Sequence, residues 1–267
     1  MPVPQNFKTL IELKRKRDIL EREGKFVKQK RVVDICIPSY KEEGYIEKTI
    51  DSLMNQTMWK DGLMNIVVGE YSTNPYHYKG KQQSYLHKLC YKNKVIHVYV
   101  PRKGVGQARN HTIVHGSMSD IITTFDADCR FNRKDAMELL TGPILQKGNI
   151  VSTYCRTLLT KDNLIRKETF GEVIFKKIMN GAGDLEAFLP VGRAIGLTFK
   201  REVFFKINGF PLVNFYEDYI TNYRISLAYG MSSRKFINDV IVLSSDRRAA
   251  AVSKYGLNIL DYHKNYR

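Results

Sequence analysis

Cysteine is scarce in this sequence, and long apolar runs are absent. The four cysteines, Cys36, Cys90, Cys129 and Cys155, form no CxxC pair and have no histidine at zinc-binding spacing. This argues against a structural zinc and a disulfide framework, so we expect reduced, mostly buried thiols. No segment approaches the roughly 18 to 20 apolar residues of a membrane-spanning helix, and the N-terminus is too polar for a signal peptide. The expected location is therefore the cytoplasm.

Acidic residues are few relative to basic ones. The 267 residues include 43 Lys and Arg against 27 Asp and Glu, giving a formal charge of +16 and a pI near 9.6. Residues 1–31 carry ten basic and four acidic side chains, and residues 247–267 carry five and one. The excess charge is therefore concentrated at the ends. With 43% apolar residues and no repeat or low-complexity segment, the composition is typical of a folded domain.

Strand and helix patterns alternate through the first half of the chain. Residues 7–31 predict a basic amphipathic helix that precedes the core. Short apolar runs then predict strands, and apolar residues at helical spacing predict helices. The strands are 32–37, 65–70, 94–100 and 121–125, and the helices are 44–56, 82–91 and 107–116. This alternation indicates βαβ units and a largely parallel sheet.

The pattern is less regular after residue 130. Strands are predicted at 149–154, 195–200 and 239–244, and a helix at 166–179. Residues 180–193 include three glycines and a proline, which predict a mobile loop.

Two carboxylates, Asp126 and Asp128, follow the fourth predicted strand with Ala127 between them. Ligands of open α/β sheets bind outside the carboxyl ends of the strands. Carboxylate oxygens at that place suit Mg²⁺ or Mn²⁺ shared with substrate phosphates. A simple turn between strand and loop also favours Asp, so this motif alone leaves both interpretations open.

Two further motifs can each be explained either by a functional site or by an ordinary helix start. Gly104 and Gly106 open a predicted helix, where backbone N–H groups can approach an anion and Arg109 can bind phosphate; an ordinary helix start looks the same. Glu217 and Asp218 begin another helical segment. Acids are common there because of the helix dipole, but a carboxylate facing an acceptor hydroxyl can also act as a general base.

Together these motifs resemble the GT-A glycosyltransferases of family 2, inverting enzymes that use nucleotide sugars. The resemblance rests on a strand followed by Pro38-Ser39-Tyr40-Lys41-Glu42-Glu43, a helix over 46–56, the segment 105–110 ending in Ala-Arg-Asn, the Asp-Ala-Asp motif and the Glu-Asp pair. Their order and spacing agree from residue 32 to about residue 230. Two positions depart from the family pattern: Lys41 stands where Asn is usual, and the second strand ends in Gly69-Glu70-Tyr71 instead of an Asp-Asp-Gly-Ser turn.

The resemblance implies a GT-A (Rossmann-like) α/β fold with a mixed, mostly parallel central sheet flanked by helices, preceded here by the basic helix. It implies four regions: the extension 1–31, a nucleotide-sugar-binding half 32–130, an acceptor-binding half 131–246 of the same domain, and a basic, aromatic tail 247–267.

The resemblance also implies site residues and partners. Asp218 would be the catalytic base with Glu217 beside it, and Asp126 and Asp128 would bind Mn²⁺ or Mg²⁺. The implied nucleotide-sugar contacts are Pro38, Ser39, Tyr40, Glu43, Glu70, Gly106, Arg109, Asp126, Ala127, Asp128, Gly192, Arg193 and Arg247. UDP is the expected nucleotide and GDP the alternative, with an acceptor hydroxyl on a glycan, a lipid-linked molecule or a protein.

The basic ends allow two interpretations. They could pack on the core as solvated segments, or they could hold the protein at an anionic membrane surface, where each Lys or Arg contributes about 1 kcal/mol.

Three other functions compete with sugar transfer. A pI above 9 is typical of nucleic-acid-binding proteins, but no helix-turn-helix, zinc-finger, RRM or KH signature is present, so no nucleic acid partner is expected. A nucleotidyltransferase would carry a glycine-rich basic signature after the first strand, where this chain has Pro38 to Glu43. A non-catalytic relative would explain the changes at Lys41 and Gly69, but the acidic motifs are intact.

Overall fold

The computed structural model describes residues 31–71, 84–146, 148–160, 195–213 and 217–245. The first half alternates strands and helices: β1 (Val33–Ser39), α1 (Glu43–Met54), α2 (Thr57–Lys60), β2 (Met64–Tyr71), α3 (Tyr85–Lys92), β3 (Ile96–Val100), α4 (Val105–Gly116) and β4 (Ile121–Thr124). The second half contains β5 (Cys129–Phe131), α5 (Ala136–Leu145), β6 (Ser152–Thr160), β7 (Thr198–Lys200), α6 (Arg201–Lys206), α7 (Glu217–Tyr229) and β8 (Arg234–Ser245).

One sheet contains all eight strands of these described ranges, in the order β3-β2-β1-β4-β7-β6-β8-β5. The first four strands are parallel, β7 is antiparallel to both of its neighbours, and β6 and β8 are parallel. The expected mixed, mostly parallel sheet is therefore confirmed.

The strand order reverses at β1, which pairs with β2 on one side and with β4 on the other. The chain proceeds outward from β1 to β3 and then crosses back to β4. In open α/β sheets this switch point opens a crevice at the carboxyl ends of the two strands. The chain leaves β1 at Ser39 and β4 at Thr124, so the residues that follow both strands border this crevice.

Apolar layers cover both faces of the sheet. On one face the helices α1, α2, α3 and α5 pack against alternate strand residues such as Ile35 and Ile37. On the other face α4, α6 and α7 pack against the residues between them, including Cys36. Because successive strand residues point to opposite faces, a strand covered on both sides is apolar almost throughout, which explains why the apolar runs revealed β1, β2 and β4.

A buried carboxylate fixes the turn that leads from α4 into β4. Asp34 of β1 is fully buried and accepts hydrogen bonds from the Ser117 and Ser119 hydroxyls and from the backbone N–H groups of Met118 and Ser119. Arg201 at the start of α6 lies 3.7 Å away. These bonds lock the end of α4 to the sheet and so help to set where the start of α4 lies.

Several predicted boundaries were wrong. The last strand begins at Arg234 instead of residue 239, and β6 runs to Thr160 instead of residue 154. Both strands include polar residues in these added parts, and the pairing of β6 with β8 keeps them in strand conformation. The pattern analysis missed β5, α5 and α6. In α5, Gly142 and Pro143 suggest a break, but Ala136, Met137 and Leu140 are completely buried, so tertiary packing outweighs the local signal.

The four cysteines are free and buried, which confirms the expectation for the thiols. Within the described ranges, no helix combines the length and the apolar character needed to cross a bilayer. The predicted basic helix up to residue 30, the helix at 166–179, the loop at 180–193 and the tail from 247 lie outside those ranges.

Candidate active site

The Asp126-Ala127-Asp128 turn lies directly after β4, where the switch-point crevice opens. Two neighbouring elements hold its backbone: the Thr49 hydroxyl of α1 donates to the Ala127 carbonyl at 2.8 Å, and the Ser245 N–H at the end of β8 donates to the Asp128 carbonyl at 3.2 Å. The turn is therefore anchored from both sides, and its carboxylates have a defined position.

Arg109 reaches Asp126 from the first half of α4. Its Nη2 donates to Asp126 Oδ1 at 2.7 Å, and the Arg109 side chain is only 3% exposed. The guanidinium also lies 5.7 Å from the Phe210 ring centre. Two bonds between the Asn110 side chain and the Phe210 backbone, at 2.7 and 2.8 Å, clamp the same helix to this segment.

Glu217, the first residue of α7, completes the ion-pair cluster. Its Oε1 lies 3.7 Å from Arg109 Nε, and its side chain is 11% exposed. Burial raises the pKa of Glu217, the Arg109 charge opposes that rise, and neighbouring Asp218 adds to it. Burial alone would lower the pKa of Arg109, but the charges of Asp126, Glu217 and Asp218 outweigh it, so the guanidinium is more basic than usual. The Arg109–Asp126–Glu217 cluster thus joins the end of β4 to the start of α7.

A divalent cation could bind beside this cluster. The ligand atoms of Asp126, Asp128 and Cys129 all lie within 4.8 Å of one another. Burial, followed by the neighbouring carboxylates, raises the pKa of the Cys129 thiol, which favours its protonated form. The two carboxylates are hard oxygen donors, which suit Mg²⁺ or Mn²⁺.

An aromatic pair marks the other side of the crevice. Tyr40, just after β1, is 41% exposed and meets the Tyr71 ring edge-on with ring centres 5.2 Å apart. The ammonium groups of Lys41 and Lys103 lie 5.4 and 5.6 Å from the Tyr40 ring centre. Lys41 has a φ of +54°, a conformation that Asn adopts more readily than Lys.

Glu70 lies beside Ser39 in the register of β2 and β1. Its Oε2 accepts a hydrogen bond from the Ser84 hydroxyl at 2.7 Å and is 2.8 Å from His97 Nε2. Sequence reasoning missed Ser84 and His97. Ser84 caps α3 by accepting from the His87 N–H, and a serine before an apolar helical run could have suggested the cap; nothing in the sequence pairs His97 with Glu70.

Gly106 lies in the first turn of α4 against the chain that precedes α7. A Cβ added there would be 2.1 Å from the Pro211 carbonyl oxygen. The glycine therefore lets the helix start approach another backbone, and this close approach places Arg109 at the crevice.

The remaining predicted site residues differ in their surroundings. Pro38 and Ser39 end β1, and Glu43 begins α1 with its side chain exposed. Asp218 is half-buried, and its Oδ1 accepts from the Tyr219 N–H at 2.8 Å. Among the predicted residues, the structure brings Arg109 into contact with both Asp126 and Glu217. Asp128 follows Asp126 by two residues, and Asp218 directly follows Glu217. Gly192, Arg193 and Arg247 lie outside the described ranges.

Comparison with solved structures shows the same fold in several proteins, including the following three. The mannosyltransferase PcManGT from Pyrobaculum calidifontis, solved with GDP-Man and Mn²⁺, has a TM-score of 0.56 and 17% identity over 90% of this chain and 68% of its own. S. aureus TarS 1-349 with UDP has a TM-score of 0.53 and 13% identity over 83% of this chain. Glucosyl-3-phosphoglycerate synthase from Mycobacterium tuberculosis, solved with Mn²⁺, UDP-Glc and glycerol 3-phosphate, has a TM-score of 0.52 and 17% identity over 78% of this chain and 70% of its own.

This chain spans 64% of the TarS 1-349 chain. No curated protein matches the sequence significantly. The family model described as glycosyl transferase family 2 matches residues 34–202, which is more than half of the 267 residues. The family model and the shared fold confirm the resemblance that the motifs indicated: the chain belongs to glycosyl transferase family 2, a family of glycosyltransferases.

Proposed function

We propose that this protein is an inverting glycosyltransferase that moves a sugar from a nucleoside-diphosphate sugar to an acceptor hydroxyl. The observation that carries the proposal is the Arg109–Asp126–Glu217 cluster. It brings the acidic start of α7 beside the acidic turn after β4, which supports the proposal of a proton acceptor and a cation site at one crevice. A single displacement needs one general base and no second carboxylate as nucleophile, and a cation would stabilise the leaving group.

In the proposed reaction, the acceptor oxygen forms a bond to the anomeric carbon of the sugar while the bond from that carbon to the phosphate oxygen breaks. Asp218 takes the proton of the acceptor hydroxyl, and the electron pair of the broken bond leaves with the diphosphate. Because attack and departure occur on opposite faces of the sugar, its configuration inverts. Glu217 holds the start of α7 beside the β4 turn through its ion pair with Arg109.

Asp126 and Asp128 would hold Mn²⁺ or Mg²⁺, which supplies positive charge that stabilises a departing diphosphate. The compact arrangement of their oxygens supports this assignment. Arg109 adds a second positive group beside Asp126, within the same crevice.

The nucleoside would lie across the ends of β1 and β2, bordered by Pro38, Ser39, Tyr40, Glu43, Glu70 and Gly106. The exposed Tyr40 ring offers a stacking surface, and Glu70 offers a carboxylate that two neighbours hold in place. We propose UDP as the nucleotide with GDP as the alternative, since the solved structures of similar fold include a complex with UDP and one with GDP-Man. Ala127 would border the diphosphate, and Gly192, Arg193 and Arg247 are proposed to lie near the donor sugar and the diphosphate.

A screen of UDP-, GDP- and dTDP-sugars for Mn²⁺-dependent release of nucleoside diphosphate tests the proposal. We expect turnover with at least one donor. Asp128→Ala and Asp218→Asn should each lower turnover by a hundredfold or more, on the order of the contributions that charge stabilisers and general bases make.

The matched control is Asp51→Asn, which removes an exposed carboxylate from α1 and should leave turnover unchanged. Near-normal sugar transfer by either active-site variant would contradict the proposed mechanism. If the wild type transferred sugar from none of the donors, the proposed function would be wrong.

A further inference from the structure

The helix that carries the proposed base buries mostly polar residues, beside the apolar contacts of Ile225, Ala228 and Tyr229. Four residues of α7 are buried: Glu217, Thr221, Asn222 and Ile225, and only the last is apolar. The Thr221 hydroxyl donates a hydrogen bond within the helix, to the Glu217 carbonyl at 2.6 Å. Hydrogen bonds depend strongly on direction, whereas apolar contacts tolerate sliding. A polar attachment therefore specifies the rotation and height of the helix more tightly than an apolar one.

Arg234 is the centre of this attachment. It is the first residue of β8, is 8% exposed, and pairs in register with Ser152 of β6. Its Nη1 donates to the Ser226 hydroxyl at 3.0 Å and to the Asn222 carbonyl at 3.4 Å, and its Nη2 donates to Asn222 Oδ1. The guanidinium lies 4.7 Å from the Tyr154 ring centre. Arg234 on the sheet therefore forms hydrogen bonds with two successive turns of α7.

Asn222 connects Arg234 to the backbone of the proposed base, Asp218. The residue is completely buried, and its Nδ2 donates to the Asp218 carbonyl at 2.9 Å while its Oδ1 accepts from Arg234. One amide therefore links the guanidinium on the sheet to the backbone of Asp218. A shift of Arg234 would be transmitted directly to the first turn of α7.

A guanidinium is a costly group to bury for packing alone. Burial lowers the pKa of Arg234 to about 10, so the side chain stays charged at neutral pH but carries a desolvation cost. Apolar residues of similar volume are often at least as stabilising at such positions. The rigid fork of Arg reaches two acceptors on Asn222 and one on Ser226 while it packs on Tyr154, which Lys cannot reproduce.

We propose that Arg234 is a positioning residue, which acts through Asn222 to hold Asp218 where it can take the proton of the acceptor hydroxyl. This inference rests on the proposed role of Asp218. It assigns Arg234 no contact with the donor or the cation, which lie at the β4 turn. The two steps of the reaction cycle, donor binding and sugar transfer, should therefore respond differently to its loss.

The test compares Arg234→Met, Arg234→Lys and Asn222→Ala with Lys235→Met, a matched change at the exposed neighbouring residue. We expect Arg234→Met to lower kcat ten- to a hundredfold, since displacements of about 1 Å have effects of this size. The affinity for nucleoside diphosphate with Mn²⁺, measured by calorimetry, should change less than threefold. Arg234→Lys should recover part of kcat, and Lys235→Met should match the wild type.

Asn222→Ala should lower kcat to a similar degree, and the double variant should be no slower than either single one, because both residues act in one chain. If Arg234→Met does not fold, Arg234→Lys and Asn222→Ala provide the same comparison. A loss of thermal stability or of diphosphate affinity with kcat unchanged for the folded fraction would overturn the inference and leave a structural role. Failure of the wild type to transfer sugar would instead remove the proposed function on which the inference rests.

Discussion

Arg109 connects two distant parts of the chain through one buried guanidinium. It binds Asp126 at 2.7 Å and lies 3.7 Å from Glu217. A buried charge is tolerated when opposite charges surround it, and removal of one partner leaves the others without compensation. The cluster therefore affects stability as well as the proposed chemistry.

We expect Arg109→Met to lower the free energy of unfolding by about 3 to 5 kcal/mol, because it leaves Asp126 and Glu217 without their guanidinium. The double variant Arg109→Met with Asp126→Asn should recover part of this loss, since one of the two uncompensated carboxylates is gone. Denaturant unfolding followed by circular dichroism measures both values. A single variant within 1 kcal/mol of the wild type would contradict the ion-pair interpretation.

Among the elements, α4 depends on its close contact with the segment before α7. Gly106 makes this contact possible, because a Cβ there would come within 2.1 Å of the Pro211 carbonyl oxygen. The same contact brings Arg109, one turn further along, to the carboxyl end of β4. The glycine in this motif therefore has a packing reason that is independent of any anion.

Gly106→Ala should lower the free energy of unfolding by about 1 to 3 kcal/mol, the usual cost of overpacking, even though alanine favours helices. Gly44→Ala is the matched control: Gly44 lies in α1 with no atom within 4 Å of the added Cβ, and the change should be neutral or stabilise by up to about 1 kcal/mol. Thermal unfolding of both variants tests this. Equal effects at the two positions would show that the Pro211 contact is unimportant.

At the scale of the whole molecule, the charge of +16 is unevenly distributed. Residues 32–246 carry 28 basic and 22 acidic side chains, and the two ends hold the remaining excess. The core needs only a moderate positive charge to meet a phosphorylated donor. An anionic membrane surface would attract the basic residues at the two ends of the chain.

We expect the full chain to float with vesicles that contain phosphatidylserine and to stay unbound with vesicles of phosphatidylcholine alone. Each basic residue near an anionic surface contributes about 1 kcal/mol, and added salt should weaken the binding. A variant with the five basic residues of 247–267 changed to Gln should bind less.

The matched control changes five exposed lysines from between the two basic ends to Gln: Lys48, Lys60, Lys88, Lys92 and Lys94. It removes the same charge and should retain vesicle binding. Equal loss in both variants would indicate a general charge effect, and no binding by the wild type would contradict the membrane interpretation.

The alternation of strands and helices, the family and the acidic motifs could all be predicted from the sequence. Strands buried on both faces are mostly apolar, so β1, β2 and β4 are visible as local runs, and the motifs that follow them are contiguous. These features depend on neighbours within a few residues, which a pattern can record.

The contacts between these motifs could not be predicted from the sequence and follow from the three-dimensional fold. The pairing of Arg109 with Glu217 and of Arg234 with Asn222 depends on how α7 packs against α4 and β8. The pairing of Glu70 with His97 depends on the register of β2 and β3. The lengths of α5 and β8 likewise follow from burial and strand pairing, which outweigh local propensity. Contacts between distant residues are set by packing geometry, and no local pattern encodes them.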